Sequence, residues 1–177
     1  VGNAYMKNIF DIDAPRIGLL NIGAEDSKGG EVLVETYQKL KNDTKLNFIG
    51  NVEPRDVPTG ACDVLVCDGF AGNIVLKLTE GVAKSFMSMF KEVLMKNAIT
   101  KLGALMAKGG LKDLKKKFDY KEYGGAPLIG VKSPVIKAHG SSDSKAIKSA
   151  IRQAINFTKT NVIKDIEDAL RDENNDK

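Results

Sequence analysis

Three short polar segments hold the residues of this chain that could do chemistry. In chain order they contain Asn21, Glu25 and Lys28; then Asp68, Gly69, Gly72, Asn73 and Lys77; then His139, Gly140, Ser141 and Ser142. N–H groups at glycine-rich helix starts attract anions, a lysine adds positive charge, and an imidazole can give or take a proton near neutral pH. The set therefore suits an anionic substrate.

The segment from Asp63 to Gly81 is typical of a strand, a tight turn and a helix. Its valine-rich start, Asp63 to Cys67, predicts a buried parallel strand, and Ile74, Leu78 and Val82 then fall on one helical face. Between them we expect Gly69 and Gly72 to leave room for a ligand and Asn73 to cap the helix. The spacing matches neither a dinucleotide fingerprint nor a Walker loop, so its specificity is low.

The other two segments also follow predicted strands, at Ile17–Asn21 and Val135–Ala138. Because the carboxyl ends of parallel strands share one edge of a sheet, all three segments are expected to meet there. Helices are predicted over Glu31–Leu40 and around Ile147, Ile151, Ala154, Ile155 and Thr158, with a strand at Asn47–Asn51. The acidic tail from Asp165 to Lys177 is expected to fray. The pattern predicts an α/β fold.

Each candidate residue also has a purely structural interpretation. His139 is the only histidine and either acts on substrate or caps the next helix; Ser141 and Ser142 are ordinary capping residues. Lys77 either contributes positive charge to a ligand site or is simply a solvent-exposed residue on a helix face. Cys67 stands beside Asp68, but no neighbouring base is evident, so it is not predicted as a nucleophile. No spacing supports a metal site.

Basic charge is concentrated in one part of the chain. Residues 91–117 contain eight lysines against Glu92 and Asp113, whereas the whole chain carries only +4. This argues against a general nucleic-acid binder and for one basic element that faces an acidic partner or surface. A helical hairpin over about 82–118, patterned by Leu111, Leu114 and Phe118 near its end, either packs on the sheet or a dimer partner, or dips into an anionic bilayer. The residues expected to contact the membrane or a partner are Lys96, Ala98, Leu102, Leu105, Met106 and Lys108.

The ends of the chain and its apolar runs indicate its class. No run is long enough for a spanning helix, and no signal peptide is evident, so we expect an intracellular protein with both cysteines reduced. The chain starts without methionine at Val1 and runs directly into Tyr5, Ile9 and Phe10, which look like the end of a helix. It is therefore expected to be a fragment.

Four ordered blocks resemble the bacterial phosphate acyltransferases of phospholipid synthesis, the acyl-carrier-protein:phosphate transacylases. They are Pro15–Gly23 with Glu25 and Lys28-Gly29, Asp63–Gly81, Gly124–Gly130, and His139–Ser142. The resemblance covers nearly the whole chain but only the C-terminal half or so of the family's sequence. Lys132-Ser133-Pro134 departs from the asparagine-glycine type of turn expected before the last strand.

The resemblance implies conversion of long-chain acyl-carrier protein and inorganic phosphate into acyl phosphate, with no cofactor. It implies a three-layer α/β/α fold similar to isocitrate and isopropylmalate dehydrogenases, and a homodimer that touches the inner face of the membrane and hands its product to the acyl-phosphate:glycerol-3-phosphate acyltransferase. His139, Asp68 and Lys77 would act on substrate. Two alternatives stay open: an acyl-CoA phosphotransacetylase or dehydrogenase relative, and a non-catalytic dimerisation and membrane-docking fragment.

Overall fold

The computed structural model describes residues 1–117, 125–140, 142–160 and 162–175. The predicted Phe118, Gly124 and Ser141 lie outside these ranges. The elements, in order, are α1 (Gly2–Phe10), β1 (Arg16–Leu20), α2 (Glu31–Asn42), β2 (Asn47–Val52), a 3₁₀ helix (Pro54–Thr59), β3 (Val64–Val66), α3 (Gly69–Leu94), α4 (Ala98–Met106), α5 (Lys108–Lys117), β4 (Ala126–Pro127), β5 (Ile136–Lys137), α6 (Ser144–Lys159) and α7 (Val162–Asn175).

A parallel sheet of three strands forms the first half of the fold, in the order β2-β1-β3. The central strand β1 buries Ile17, Leu19 and Leu20, and Val52 of β2 is buried beside it. The α/β class predicted from the sequence is therefore confirmed. The prediction that β3 is fully buried is wrong: its three residues are half-buried, because β3 pairs with β1 along only one of its edges in the described part of the chain.

Arg16 ties the start of β1 to the start of β3. Its guanidinium donates to both carboxylate oxygens of Asp63, at 2.9 and 3.1 Å, and to the carbonyl oxygens of Gly60 and Ala61, each at 3.0 Å. The Arg16 backbone N–H adds a bond of 2.8 Å to the same carboxylate. A planar guanidinium suits such a two-pronged contact, so this pair fixes the register at which the two strands begin.

The two ends of the chain pack together in a second core. Phe157, Val162 and Ile166 of the last two helices are buried against Tyr5 and Ile9 of α1, and Asn8 Nδ2 donates to Asp165 Oδ2 at 2.8 Å. The described part of the acidic tail belongs to helix α7, and its fraying stays a prediction. The buried Val162 and Ile166 hold one face of α7 against α1, and the helix continues to Asn175.

Two other expectations are corrected by the packing. Val135–Ala138 was expected to add a strand to the parallel sheet, but only Ile136–Lys137 is extended, and it pairs antiparallel with Ala126–Pro127. In α6 the buried face is Ala146, Ala150 and Phe157, while the predicted apolar row of Ile147, Ile151 and Ile155 is about half exposed. A third layer, a dehydrogenase-like architecture and a protruding hairpin remain predictions.

Within the described residues, no helix combines the length and the apolar character needed to cross a membrane.

The Arg16–Asp63 pair gives the chain a pH-dependent stability. Hydrogen bonds from Arg16 hold the pKa of Asp63 at about 2, below its ordinary value of 3.8. A group with a depressed native pKa stabilises the fold above its unfolded pKa and loses that effect as pH falls toward the native one. We expect Asp63→Asn to lower the urea midpoint at pH 7, and the difference from wild type to shrink between pH 4 and pH 2. Asp26→Asn, on an exposed loop, is the control; an unchanged difference across that range would contradict the assignment.

Candidate functional site

The sheet brings two of the three predicted segments together. Asn21 follows β1 and Asp68 follows the neighbouring strand β3, so both stand at the carboxyl edge of the parallel sheet. His139 follows β5, which belongs to the separate two-stranded sheet. The expectation that one parallel sheet presents all three segments is therefore wrong for His139, because the strand before it belongs to the other sheet.

Asn21 organises the loop after β1. It is almost completely buried, its side-chain Nδ2 donates to the Lys28 carbonyl at 2.9 Å, and its Oδ1 accepts from the Ile22 N–H at 2.8 Å. Gly29 has a φ of 86°, and a Cβ there would stand 2.8 Å from Asn21 Oδ1, so the loop closes only around glycine. The amide of Asn21 thus holds the backbone of Lys28, while Asn51 Nδ2 donates to the Glu25 carbonyl at 2.7 Å. The charged groups of Glu25 and Lys28 are 3.7 Å apart and exposed.

Asp68 starts the long helix α3 at the end of β3. Its Oδ1 accepts from the N–H groups of Phe70 and Ala71, at 2.8 and 2.9 Å, which makes Asp68 the N-cap. The prediction that Asn73 caps this helix is wrong, because Gly69 and Gly72 do not interrupt it and Asn73 lies in its second turn. Two of the first-turn N–H groups are already bonded to a carboxylate, so an anion could reach them only after that side chain moves.

Gly72 makes room for a neighbouring side chain rather than for a ligand. A Cβ at this position would stand 2.7 Å from Cys67 Sγ, whereas the space above Gly69 and Gly140 is open within 4 Å. Burial raises the pKa of the Cys67 thiol, and the Asp68 carboxylate beside it raises that pKa further. A raised pKa keeps the thiol protonated, which agrees with leaving Cys67 out of the nucleophile candidates.

A polar stripe runs along α3. At 100° per residue, Asn73, Lys77, Glu80 and Lys84 project within about 60° of one another. Lys84 Nζ lies 2.6 Å from Glu80 Oε1, and this hydrogen bond is the main reason that the pKa of Glu80 is lowered. Lys77 lowers the same pKa by its charge. Two of the predicted residues, Asn73 and Lys77, therefore share one exposed face with an acid and a second lysine.

One electrostatic link joins His139 to this stripe. Its charge makes the smallest of the contributions that lower the pKa of Glu80. Glu80 lies eleven residues beyond the first residue of α3, about 16 Å along the axis from the capped start. The sequence reasoning missed Glu80, although its position three residues after Lys77 was a usable signal.

The turn after His139 leads into α6. The Ser142 N–H donates to the His139 carbonyl at 3.0 Å. The side chain that caps α6 is Asp143, whose Oδ1 accepts from the Ala146 N–H at 3.0 Å, so the capping interpretation of Ser142 is wrong. Gly140 is exposed beside His139. Ser141 lies outside the described residues.

The residues predicted to touch a membrane or partner follow α3. Asn97 caps α4 together with Thr100 in a reciprocal pair of hydrogen bonds. Beyond this cap the predicted residues are exposed: Ala98, Leu102, Leu105, Met106 and Lys108, with Lys96 just before it. In the part of the chain that the structure describes, no cluster of three or more His, Cys, Asp or Glu residues could hold a metal ion.

The comparisons with known proteins all point to one family. The family model described as "Fatty acid synthesis protein" matches residues 1–165. The phosphate acyltransferase of Thermoanaerobacter pseudethanolicus is 54% identical over 170 residues, which are 96% of this chain and 51% of the relative. The phosphate acyltransferases of Alkaliphilus oremlandii and Clostridium botulinum are 52% and 51% identical, over 96% and 98% of this chain and 50% and 53% of their own. The chain spans about half the length of these relatives.

The contact between Gly72 and Cys67 predicts an unusual substitution pattern. Glycine to alanine inside a helix ordinarily stabilises by about 0.5–1 kcal/mol. We expect Gly72→Ala instead to destabilise the chain, because its Cβ meets Cys67 Sγ at 2.7 Å. Cys67→Ala in the same chain should restore the lost stability, measured as a double-mutant cycle by urea unfolding. Gly81→Ala, with nothing within 4 Å, is the control and should stabilise. Additive effects at positions 67 and 72 would contradict the contact.

Proposed function

The chain belongs to the fatty acid synthesis protein family, and from this membership we propose that the complete protein transfers a long-chain acyl group from acyl-carrier protein to inorganic phosphate. Complete here means this chain together with the further length that its relatives carry. The single observation that carries the proposal is the identity of 51–54% to proteins named phosphate acyltransferase. The product, an acyl phosphate, would serve phospholipid synthesis.

The chemistry requires positioning more than activation. Phosphate is already a nucleophile at neutral pH; one of its oxygens bonds to the thioester carbonyl carbon, the carbon–sulfur bond breaks, and the departing thiolate takes a proton. The protein must hold the phosphate, stabilise the charge on the carbonyl oxygen and supply that proton. No covalent enzyme intermediate is needed.

The polar stripe of α3 supports these roles. We assign phosphate to the face that carries Asn73 and Lys77, and proton donation to the leaving sulfur to His139, whose charge acts on Glu80 of the same face. Lys28, held by the Asn21 loop at the sheet edge, would add a second positive charge. Asp68 fixes the start of the helix that carries Asn73 and Lys77. The homodimer, the acyl-carrier protein and the downstream acyltransferase are part of this proposal through the resemblance alone.

Removal of the imidazole tests the assignment. In the complete protein, we expect His139→Ala to reduce kcat/KM for acyl phosphate formation by about 100-fold or more, the usual contribution of a positioned acid. Lys159→Ala, on an exposed part of α6, is the control and should leave it unchanged. Rates with acyl-carrier protein and with acyl-CoA as donor are compared in the same assay. Normal turnover in His139→Ala would exclude the role of His139, and activity with acyl-CoA alone would contradict the proposed donor.

Membrane contact is the second part of the proposal, and it rests on the outer face of α4. Ile99, Leu102 and Met106 are 82%, 60% and 84% exposed and project from one side of the helix. Each nearby lysine would add about 1 kcal/mol of binding free energy at an anionic membrane surface. We expect the combined change of these three residues to serine to weaken sedimentation with phosphatidylglycerol vesicles at least tenfold. Ile22→Ser with Val32→Ser, at 78% and 74% exposure, is the control; unchanged sedimentation of the α4 variant would contradict membrane contact.

A further inference from the structure

An apolar groove lies between α3, α4 and α5. It has a volume of about 510 Å³, within the range of pockets that bind small molecules. Ala104, the buried residue of α4, lines it. The apolar side chains around it are Met87, Phe90, Leu94, Met95, Leu105 and Leu111.

The remaining lining residues are all basic. Lys91, Lys101 and Lys108 border the groove, and each is exposed. Among the described residues that line the groove none is acidic, so no described lining residue balances their positive charge. An apolar cleft with three ammonium groups complements a molecule that has an apolar body and an anionic head. A neutral apolar ligand would not pair with the three ammonium groups. A polar anion would pair with them but would leave the apolar wall exposed to water.

The groove is separate from the face assigned to the membrane. On α4 the groove is lined by Lys101, Ala104 and Leu105, whereas Ile99, Leu102 and Met106 project from the opposite side. A flat bilayer that meets the outer side of α4 would not fill the groove on the inner side. The two apolar faces of α4 would therefore be covered by two different partners, one on its outer side and one in the groove.

We propose that the α3–α4–α5 groove binds the tail of one long-chain anionic amphiphile, such as a fatty acid anion, with its head among Lys91, Lys101 and Lys108. The tail packs along Phe90 and Leu94. This binding goes beyond the acyl transfer proposed above and needs no chemical step. Each methylene buried should strengthen binding about fourfold, until the tail fills the groove.

Methionine methyl groups report on this site without any change to the protein. The chain has five methionines: Met87 and Met95 line the groove, Met106 lies on the outer face of α4, Met89 is on another face of α3, and Met6 is in α1. With ¹³C-methyl methionine, we expect dodecanoate to shift the Met87 and Met95 signals saturably at one molecule per chain and to leave Met6 and Met106 in place. Octanoate, which is four methylenes shorter, should bind about 250-fold more weakly. Equal shifts at all five methionines, or shifts at Met106 alone, would overturn the proposal.

Variants separate the tail from the head. Ala104→Phe should fill the groove and weaken dodecanoate binding at least tenfold, while Leu102→Ser on the outer face should leave it within about twofold. Lys101→Met combined with Lys108→Met should weaken dodecanoate at least fivefold and leave dodecanol, the neutral-head control, unchanged. Circular dichroism checks that Ala104→Phe is folded; where it is not, the lysine pair and the methyl shifts decide. Loss of binding in Leu102→Ser alone, or equal binding of dodecanol and dodecanoate, would refute the site. Because the measurement is binding to this chain, its failure leaves the acyl-transfer proposal standing.

Discussion

The Asp68 carboxylate is the contact on which the candidate site depends. It bonds two N–H groups at the start of α3, directly after the edge strand β3, and so fixes where a helix of 26 residues begins. A cap of this kind stabilises by about 1 kcal/mol. Its larger effect is geometric, because a start one residue later would rotate every side chain of α3 by 100° relative to the sheet. The same carboxylate opposes an anion at the helix start, and for this reason the proposed phosphate position lies further along the helix.

Helix α3 has three faces that differ in their residues and in what they contact. The polar stripe presents Asn73, Lys77, Glu80 and Lys84; a second face lines the groove with Met87, Phe90 and Leu94; a third carries the exposed apolar row Ile74, Leu78, Val82, Met89 and Val93. A helix that is apolar over most of its surface needs partners on more than one side. One cap therefore sets the direction of the polar stripe, the groove and the exposed apolar row together.

Local pattern predicted the first half of the fold well and the contacts of the second half poorly. The strands at Ile17 and Asn47 and the helix at Glu31 were correctly predicted, since apolar spacing and glycine-rich turns determine such elements locally. The start of α3 was misplaced, because two glycines look like a break unless the Asp68 cap is recognised. The buried face of α6 was also missed: small alanines, rather than isoleucines, face the neighbouring elements. Which face is buried depends on partners distant in sequence.

The exposed surface points to what surrounds the site. A folded protein of 19.2 kDa is expected to expose about 8,400 Å², whereas this chain exposes 12,738 Å². The excess, on the order of 4,000 Å² on this chain, is well above the roughly 800 Å² that each partner buries in a standard interface. The exposed rows on α3 and α6, such as Leu78 and Val82 or Ile151 and Ile155, are the surfaces that such an interface would cover. The polar stripe lies beside the α3 row, so covering that row would also remove water from around Lys77. A drier surrounding strengthens electrostatic attraction, so under the proposed function the affinity of Lys77 for phosphate would depend on surfaces that cover the α3 row.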